Sequence, residues 1–355
     1  AMLKKVSQPQ FNRVFFTGSG SESNDTIVRM VRTYWDLMGQ PERHTIISRH
    51  NAYHGSTVAA ASLGGMKPMH KQSGLPIPGI VHVDQPYWFG SDQSMSPDEF
   101  GIATARAIED KIKEIGADKV AAFIGEPIQG AGGVIVPPDS YWPEVQRVCD
   151  EYGILLISDE VITGFGRLGE WFGADYYDTR PDFMPFAKGV TSGYLPLGGV
   201  FISDRVADVL VDKAGEFAHG YTYSGHPAAC AVAIANLKIL QRENLVERIR
   251  DDIGPYLQKG WAELEDHPLV GNTRMVGLMG ALELVKSKEP LERFDPKQGV
   301  GAIARDLFIE NGLCLRASGD AIICAPPFTL SHSEADTIIE VTRKVLDLTA
   351  KAIEA

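Results

Sequence analysis

An α/β fold, with a large and mainly parallel sheet flanked by helices and a smaller α/β domain at the C-terminal end, is predicted by three observations. Short β-rich runs alternate with helical stretches through the first two-thirds of the chain, which is a βαβ rhythm. The runs VAAFIGEP (120–127), ILLISDEV (154–161), DFMPFAK (182–188) and GGVFIS (198–203) hardly alternate apolar with polar residues, as strands buried on both faces of a parallel sheet read. From about Ala228 the texture changes to small residues at helical spacing, AACAVAIANLKILQ, followed by a more charged and helical stretch. At roughly 150 residues per domain, a chain of 355 has length for about two. The boundary is placed near residue 240, giving a large domain over 1–240 and a small one over 241–355.

The elements follow in order. A strand over Arg13–Thr17 (RVFFT) leads to a helix over Asp25–Met38, a strand HTIIS (44–48), a helix from about His54 and a strand IVHVD (80–84). Ser96-Pro97-Asp98-Glu99 reads as a capping box, Ser96 accepting from the Glu99 amide while Glu99 reaches back, so a helix runs from Pro97 to Ile115 and stops at Gly116. A helix over Trp142–Tyr152 separates the next two buried strands. In the last third, the strand character of TRMVGLMGALELV (273–285) is broken by glycines. A helix near Val300–Asn311, short strands around Leu313–Leu315 and Ala321–Cys324, and an amphipathic helix from Ser333 complete the small domain.

Composition narrows the function. With 44% hydrophobic and 23% charged residues the chain is an ordinary globular one. A net charge of −12, from 34 basic and 46 acidic residues, disfavours nucleic acid and anionic membrane partners. Cys149, Cys230, Cys314 and Cys324 are widely spaced, which indicates neither a disulfide framework nor a zinc cluster, and a reducing cytoplasm fits them best. No apolar window is long enough to span a bilayer and no targeting segment is visible. His50 and His54 are four apart, but in a loop-like setting without a carboxylate, so no metal is expected and a loop histidine near a ligand is the simpler reading.

Three features carry chemistry. Thr17-Gly18-Ser19-Gly20-Ser21-Glu22-Ser23 follows a strand and opens a helix, which gathers backbone amides, hydroxyls and a helix N-terminus where an anion fits. It is no dinucleotide fingerprint, because Ser23 stands where glycine or alanine is wanted. A merely structural Gly/Ser turn is the alternative. Asp159 ends a buried strand, where its carboxylate is expected to need a cationic partner; for Asp159 or Glu160 the alternative is helix capping. Lys188 follows the apolar run FMPFA, where a desolvated amine would become a nucleophile able to form a Schiff base, and the alternative is a lysine that reaches the surface. Together an anion cradle, a carboxylate and a nucleophilic lysine meet the demands of pyridoxal 5′-phosphate. Tyr53 can then lie against one ring face and Val161, two residues beyond Asp159, against the other.

These residues resemble the class III aminotransferases of the fold type I pyridoxal phosphate enzymes, in particular the omega-transaminases, with the closest motif detail in the putrescine or polyamine to pyruvate group. TGSGSESND, AYHG, GEPIQGAGG, ISDEVITGFGR, FAKGVTSGYLPLGG, HGYTYSGHP and GLCLRASGD occur in the family's order and spacing across essentially the whole chain. The resemblance implies that Lys188 is the lysine that carries the cofactor and shuttles protons, and that Asp159 holds the pyridinium nitrogen protonated. It implies that Ser19, Gly20 and Ser21 take the phosphate, that Tyr53 and Val161 sandwich the ring, that Gln129 lies near the phenolic oxygen and that Glu126 stands behind them. Thr222 looks like the residue that reaches the phosphate of the neighbouring subunit, which implies a homodimer, or a dimer of dimers, with shared active sites. Arg316 matches the mobile arginine that pairs with a substrate carboxylate, a task suited to its planar fork of donors; on local sequence alone a surface ion pair is its simpler role.

The reaction so implied is ping-pong transfer of an amino group from an amine donor, putrescine or another di- or polyamine or primary amine, to pyruvate, giving an aldehyde or ketone and alanine. Rivals are an aminomutase or amino acid racemase of the same fold, a catalytically silent cofactor-binding protein, which the intact lysine opposes, and a dehydrogenase, which the failed glycine fingerprint opposes. The family carries roughly one hundred residues ahead of the VFFTGSGSE strand, more than a surface tail. Here that strand comes almost at once, so the chain is expected to start inside a domain, without the aromatic pocket walls those residues supply.

Overall fold

The computed structural model of the protein describes residues 1–72 and 74–354. The chain divides into two compact units. The first comprises Ala1–Gly130, Pro137–Phe165 and Trp171–Glu243; the second runs from Asn244 onward and takes in two short segments, Ala131–Val136 and Gly166–Glu170, from within the span of the first.

The first unit is built on a seven-stranded sheet. Its strands are β1 (Phe11–Thr17), β2 (Thr45–Arg49), β3 (Ile80–Val83), β4 (Val120–Gly125), β5 (Leu155–Ser158), β6 (Phe183–Phe186) and β7 (Gly198–Ser203), in the order β1-β7-β6-β5-β4-β2-β3. The run from β3 to β6 is parallel. Strand β7, read in the sequence as one more buried parallel strand, runs antiparallel to both β6 and β1. Burial on both faces explains why periodicity did not separate the two cases.

Successive residues of the parallel strands serve two cores, because side chains alternate across a strand. Ile46, Ala122, Ile124, Leu155 and Ile157 face one layer, which includes Ile27, Met30, Val31, Tyr34 and Trp35 of the helix Gly20–Leu37. Ile47, Phe123 and Leu156 face the other, formed by the helices Pro97–Ile115 and Tyr141–Tyr152. Each such fully buried side chain is worth roughly 1.5–3 kcal/mol over its exposed state. The capping box forms as read: Ser96 Oγ accepts from the Glu99 amide at 3.4 Å, and the Ser96 amide donates to Glu99 Oε2 at 3.0 Å.

Two helix starts differ from the sequence reading. The helix placed at Asp25 begins at Gly20, because Ser19 is its N-cap and accepts from the Glu22 amide at 3.2 Å; the glycine and serines of that first turn carry no apolar periodicity. The helix placed from about His54 begins at Val58. The intervening backbone is committed elsewhere: the His54 carbonyl accepts from Asn24 at 2.7 Å and the Ser56 amide donates to Ser21 Oγ at 3.0 Å.

The second unit holds a four-stranded antiparallel sheet. It contains β8 (Val270–Val276) and β9 (Met279–Leu284) and, after the short ribbon β10 (Ser287–Lys288) and β11 (Leu291–Glu292), β12 (Arg316–Ser318) and β13 (Ala321–Cys324). The glycine that interrupts TRMVGLMGALELV is a hairpin turn, with Gly277 at φ +55° between the paired Val276 and Met279. The strand expected at Leu313–Leu315 lies instead at Arg316–Ser318. Its pairing starts from the two-residue turn Gly319-Asp320 and reaches only as far as Arg316 opposite Ile323. The helices Gly254–Ala262, Val300–Glu310 and His332–Glu354 pack on this sheet through Leu257, Trp261, Ala304, Phe308, Val345 and Leu346, and Trp261 Nε1 donates to the Ala281 carbonyl at 3.0 Å. Among the described residues no helix is long and apolar enough to cross a membrane.

Candidate active site

The order of the large sheet brings separate stretches of sequence to one edge. Residues 18–21 follow β1, 53–55 belong to the loop after β2, Glu126 follows β4, Asp159, Val161 and Ile162 follow β5, Ala187, Lys188, Thr191 and Gly193 follow β6 and 195–197 precede β7; all of them line one cavity of about 420 Å³. This is the carboxyl edge of the parallel strands, where open α/β sheets bind ligands.

Asp159 sits one residue beyond β5, 3% exposed, its amide donating to the Gly125 carbonyl at 2.9 Å. Its Oδ2 accepts from His54 Nδ1 at 2.7 Å and from Asn24 Nδ2 at 2.9 Å, and its Oδ1 from the Val161 amide at 3.1 Å. Among the described residues its side-chain partners are an imidazole and an amide, not a lysine or an arginine. Donors aimed at a carboxylate lower the penalty of burying it. The capping role weighed for this pair of acids belongs to Glu160, whose oxygens accept from the amides of Gly173 and Ala174 at 2.8 and 2.7 Å and from Ser158 and Thr163. Burial pushes the Glu160 carboxyl up to about 7, against the pull of those donors.

Lys188 begins the turn Lys188–Thr191 just past β6, with φ at +36°. Such a φ is uncommon for a non-glycine residue and persists only where the surroundings enforce it. Here the Lys188 carbonyl accepts from the Gly193 amide at 3.1 Å, and Asn236 Nδ2 donates to the carbonyls of Gly189 and Val190 at 2.9 and 3.1 Å. The side chain has two sequence readings, a desolvated amine and a lysine that reaches the surface. It is exposed, because it extends from the strand end into the open cavity, and its amine makes no ion pair among the described residues.

The glycine-serine segment forms the cavity wall at the start of the helix Gly20–Leu37, and a Cβ added at Gly20 would come within 2.9 Å of Val161 Cγ2. Glu22 turns back to accept from the Gly18 amide at 2.6 Å. Tyr53 also lines the cavity, its backbone fixed by donation to Glu126 Oε1 at 3.0 Å and its hydroxyl 3.1 Å from Ser56 Oγ. Glu126 accepts in addition from the Gly130 amide at 2.9 Å; burial raises its pKa, the charge of Asp159 adds to the rise, and His54 opposes it.

Three expected residues stand outside that wall. Gln129 is fully buried and donates to the His50 carbonyl at 3.2 Å, with its Oε1 unpartnered. Thr222 is exposed on the turn after Tyr221, beside a second hollow of about 600 Å³ that also touches Gly18 and Glu22. Arg316 opens β12 in the second unit and is exposed. Among the described residues no cluster of His, Cys, Asp and Glu is placed to hold a metal ion.

The model of the class III aminotransferases matches residues 1–346. The chain belongs to the class III aminotransferase family. It is 57% identical, over 99% of its own length and 77% of the relative's, to the putrescine–pyruvate aminotransferase of Pseudomonas aeruginosa. Among solved structures it resembles a transaminase from directed evolution by ancestral reconstruction, at 40% identity and a TM-score of 0.96 over 99% of this chain and 78% of that one. It also resembles a thermostable (S)-enantioselective omega-transaminase from Thermomicrobium roseum, at 44% identity and a TM-score of 0.93 over 98% of this chain and 77% of that one.

In this aminotransferase the residues that sequence reasoning passed over are those that support the wall. Asn24 lies in mid-helix and His54 in a loop, and their bonds to Asp159 span 135 and 105 residues, so no local pattern announces them. Asn236 is one polar residue in a stretch read for its small apolar ones. A signal existed only for His54, which adjoins Tyr53 and reads as a loop histidine near a ligand, though with no sign of its bond to Asp159.

Proposed function

We propose that this aminotransferase uses pyridoxal 5′-phosphate to move an amino group from putrescine, or another di- or polyamine or primary amine, to pyruvate, releasing an aldehyde or ketone and alanine. The observation that carries the reading is one cavity wall on which an exposed, unpaired lysine, a buried carboxylate and a glycine-serine helix start meet. The residues present fit the cofactor. Residues 18–21 bring the start of the helix Gly20–Leu37 to the cavity wall, suited to a phosphate, and among the described residues Asp159 Oδ1 accepts from a single amide, which leaves it capacity for a ring N–H. The choice of donor and acceptor rests on the relative from Pseudomonas aeruginosa.

Bound there, the cofactor supplies a carbonyl carbon for covalent attachment and a conjugated ring that accepts negative charge from the donor carbon. Lys188 Nζ is the attachment point. With the donor amine in its place, Lys188 Nζ would take a proton from the donor carbon and hand it to the cofactor's carbonyl-derived carbon, and in the pyruvate half-reaction would carry one from that carbon to C2 of pyruvate, so one amine serves both directions. Asp159 keeps a negative charge against the ring nitrogen, and its burial keeps that interaction strong. Tyr53 and Val161 hold the ring between them, and Ser19, Gly20 and Ser21 orient the phosphate. Glu126 fixes the Tyr53 backbone, and Gln129 is assigned to the polar environment of the phenolic oxygen. Arg316 is assigned to the carboxylate of pyruvate, which an amine donor lacks.

Thr222 is assigned to the phosphate site of a second copy, which makes the working unit a homodimer or a dimer of dimers. In support, Thr222 adjoins Tyr223, which is 73% exposed. The acidic chain with unpaired cysteines suits the cytoplasm. The test is a panel of amines, each with pyruvate as acceptor. Equimolar alanine and carbonyl product, with a di- or polyamine best, supports the reading. Racemisation or internal amino migration without use of pyruvate would replace it.

A further inference from the structure

We propose that His54 is a positioning residue for Asp159, and that with Asn24 it reserves Asp159 Oδ1 for the ligand in the cavity. The inference rests on the assignment of Asp159 to the cofactor nitrogen and adds how the carboxylate is aimed. A carboxylate oxygen offers about two acceptor sites. On Oδ2 both are filled, by His54 Nδ1 at 2.7 Å and Asn24 Nδ2 at 2.9 Å, whereas among the described residues Oδ1 receives only the Val161 amide at 3.1 Å. One site on Oδ1 is therefore left, and a quarter-turn of the carboxylate would break both side-chain bonds on Oδ2.

The brace is itself braced. Asn24 Nδ2 spends its second hydrogen on the His54 carbonyl at 2.7 Å, so a single amide ties the imidazole's backbone to the carboxylate its ring holds. Both residues are buried, His54 to 3% exposure and Asn24 completely. Because a carboxylate only accepts, the proton of the His54–Asp159 bond belongs to Nδ1. His54 Nε2 is buried without a partner among the described residues, so a second proton there would find no acceptor. His54 thus acts as an Nδ1–H donor that aims the carboxylate without neutralising it.

The experiment compares the wild-type protein with His54→Phe, which removes the donor, and His54→Asn, whose amide can place an N–H near the Nδ1 position. The affinity for pyridoxal phosphate, the pH midpoint of the visible band of the lysine-bound cofactor, and the thermal midpoint of the cofactor-free protein are measured for each. Loss of one bond to a charged group predicts roughly ten- to one-hundredfold weaker retention in His54→Phe. A ring nitrogen less well held in its cationic form makes the neighbouring imine nitrogen easier to protonate, so the band's midpoint rises, by about one unit. His54→Asn recovers most of both. A folded His54→Phe protein with wild-type affinity and midpoint overturns the proposal, and so does a folded His54→Asn protein no better than His54→Phe. Should neither variant fold, nitrogen NMR of the wild-type imidazoles decides: a protonated Nδ1 on a buried histidine supports the proposal, and a bare Nδ1 overturns it. Failure of the wild-type protein to take up pyridoxal phosphate would count against the functional reading instead, and the NMR result would still judge the brace.

Discussion

Gly20 and Val161 meet across the candidate cofactor site: a methyl group on Gly20 would approach Val161 Cγ2 to 2.9 Å, closer than such atoms come in folded proteins. Gly20 is also the first residue of its helix, where alanine would be the better helix former by about 1 kcal/mol. Gly20→Ala therefore separates the two effects. Overpacking of about 1–3 kcal/mol is expected at the site, read as weaker retention of pyridoxal phosphate. Val161→Ala in the Gly20→Ala background should recover part of it, so the two changes combine non-additively in a double-mutant cycle.

Asp159→Asn replaces a buried carboxylate with a neutral amide of the same shape. The amide cannot sustain a positive charge on the ring nitrogen, and its NH2 group would face either the donors His54 and Asn24 or the Val161 amide. Cofactor retention should weaken and the amine half-reaction slow by at least about a hundredfold, since a charged, desolvated interaction is worth several kcal/mol at a reacting centre. Stopped-flow spectra of the half-reaction check it; an unchanged rate removes Asp159 from its assigned role.

Arg316→Ala should act on one half of the cycle. Pyruvate carries a carboxylate and an amine donor such as putrescine does not, so the loss should fall on the pyruvate half-reaction, roughly ten- to one-hundredfold, with the amine half-reaction nearly unchanged. Single-turnover kinetics of each half separate the outcomes. Arg316 is exposed, so its removal leaves no buried hole.

His82 makes stability depend on pH below neutrality. Burial, reinforced by the charge of His70, lowers its pKa from 6.5 to about 4, while its bonds to the carbonyls of Gly64 and Leu63 oppose the shift. The folded state thus disfavours the proton that the unfolded state accepts. Stability is complete above pH 6.5 and falls as pH drops through the window to about 4. Partial exposure of the ring reduces the loss to about 1–2 kcal/mol. His82→Gln, which keeps an N–H for the Gly64 carbonyl, should shift its urea midpoint less than the wild-type protein between pH 7.5 and 4.5.

Periodicity carried the fold where burial is one-sided or strands are uniformly apolar, and it failed where a tertiary demand outweighed local pattern. Ile46 and Ile47 announce a strand buried on both faces, yet nothing in GGVFIS distinguishes an antiparallel neighbour from a parallel one. The late helix start at Val58 is of the same kind, since His54 and Ser56 spend their backbone groups on Asn24 and Ser21, which lie 30 and 35 residues away. At the site, Asp159, Lys188 and the glycine-serine turn were legible because each sits at a strand end in a residue type that is out of place there. Asn24, His54 and Asn236 were not, because their significance is a hydrogen bond to a distant partner. The exposure of Lys188 stayed open for a related reason: an apolar run marks where a strand is buried and says little about the side chain that leaves it.

The most direct measurement is borohydride reduction of the protein freshly reconstituted with pyridoxal phosphate, followed by peptide mass mapping. The account predicts a stable adduct on the peptide containing Lys188, lost in Lys188→Ala together with the visible absorbance and multiple turnover. An adduct on a different lysine, or none at all, would contradict it.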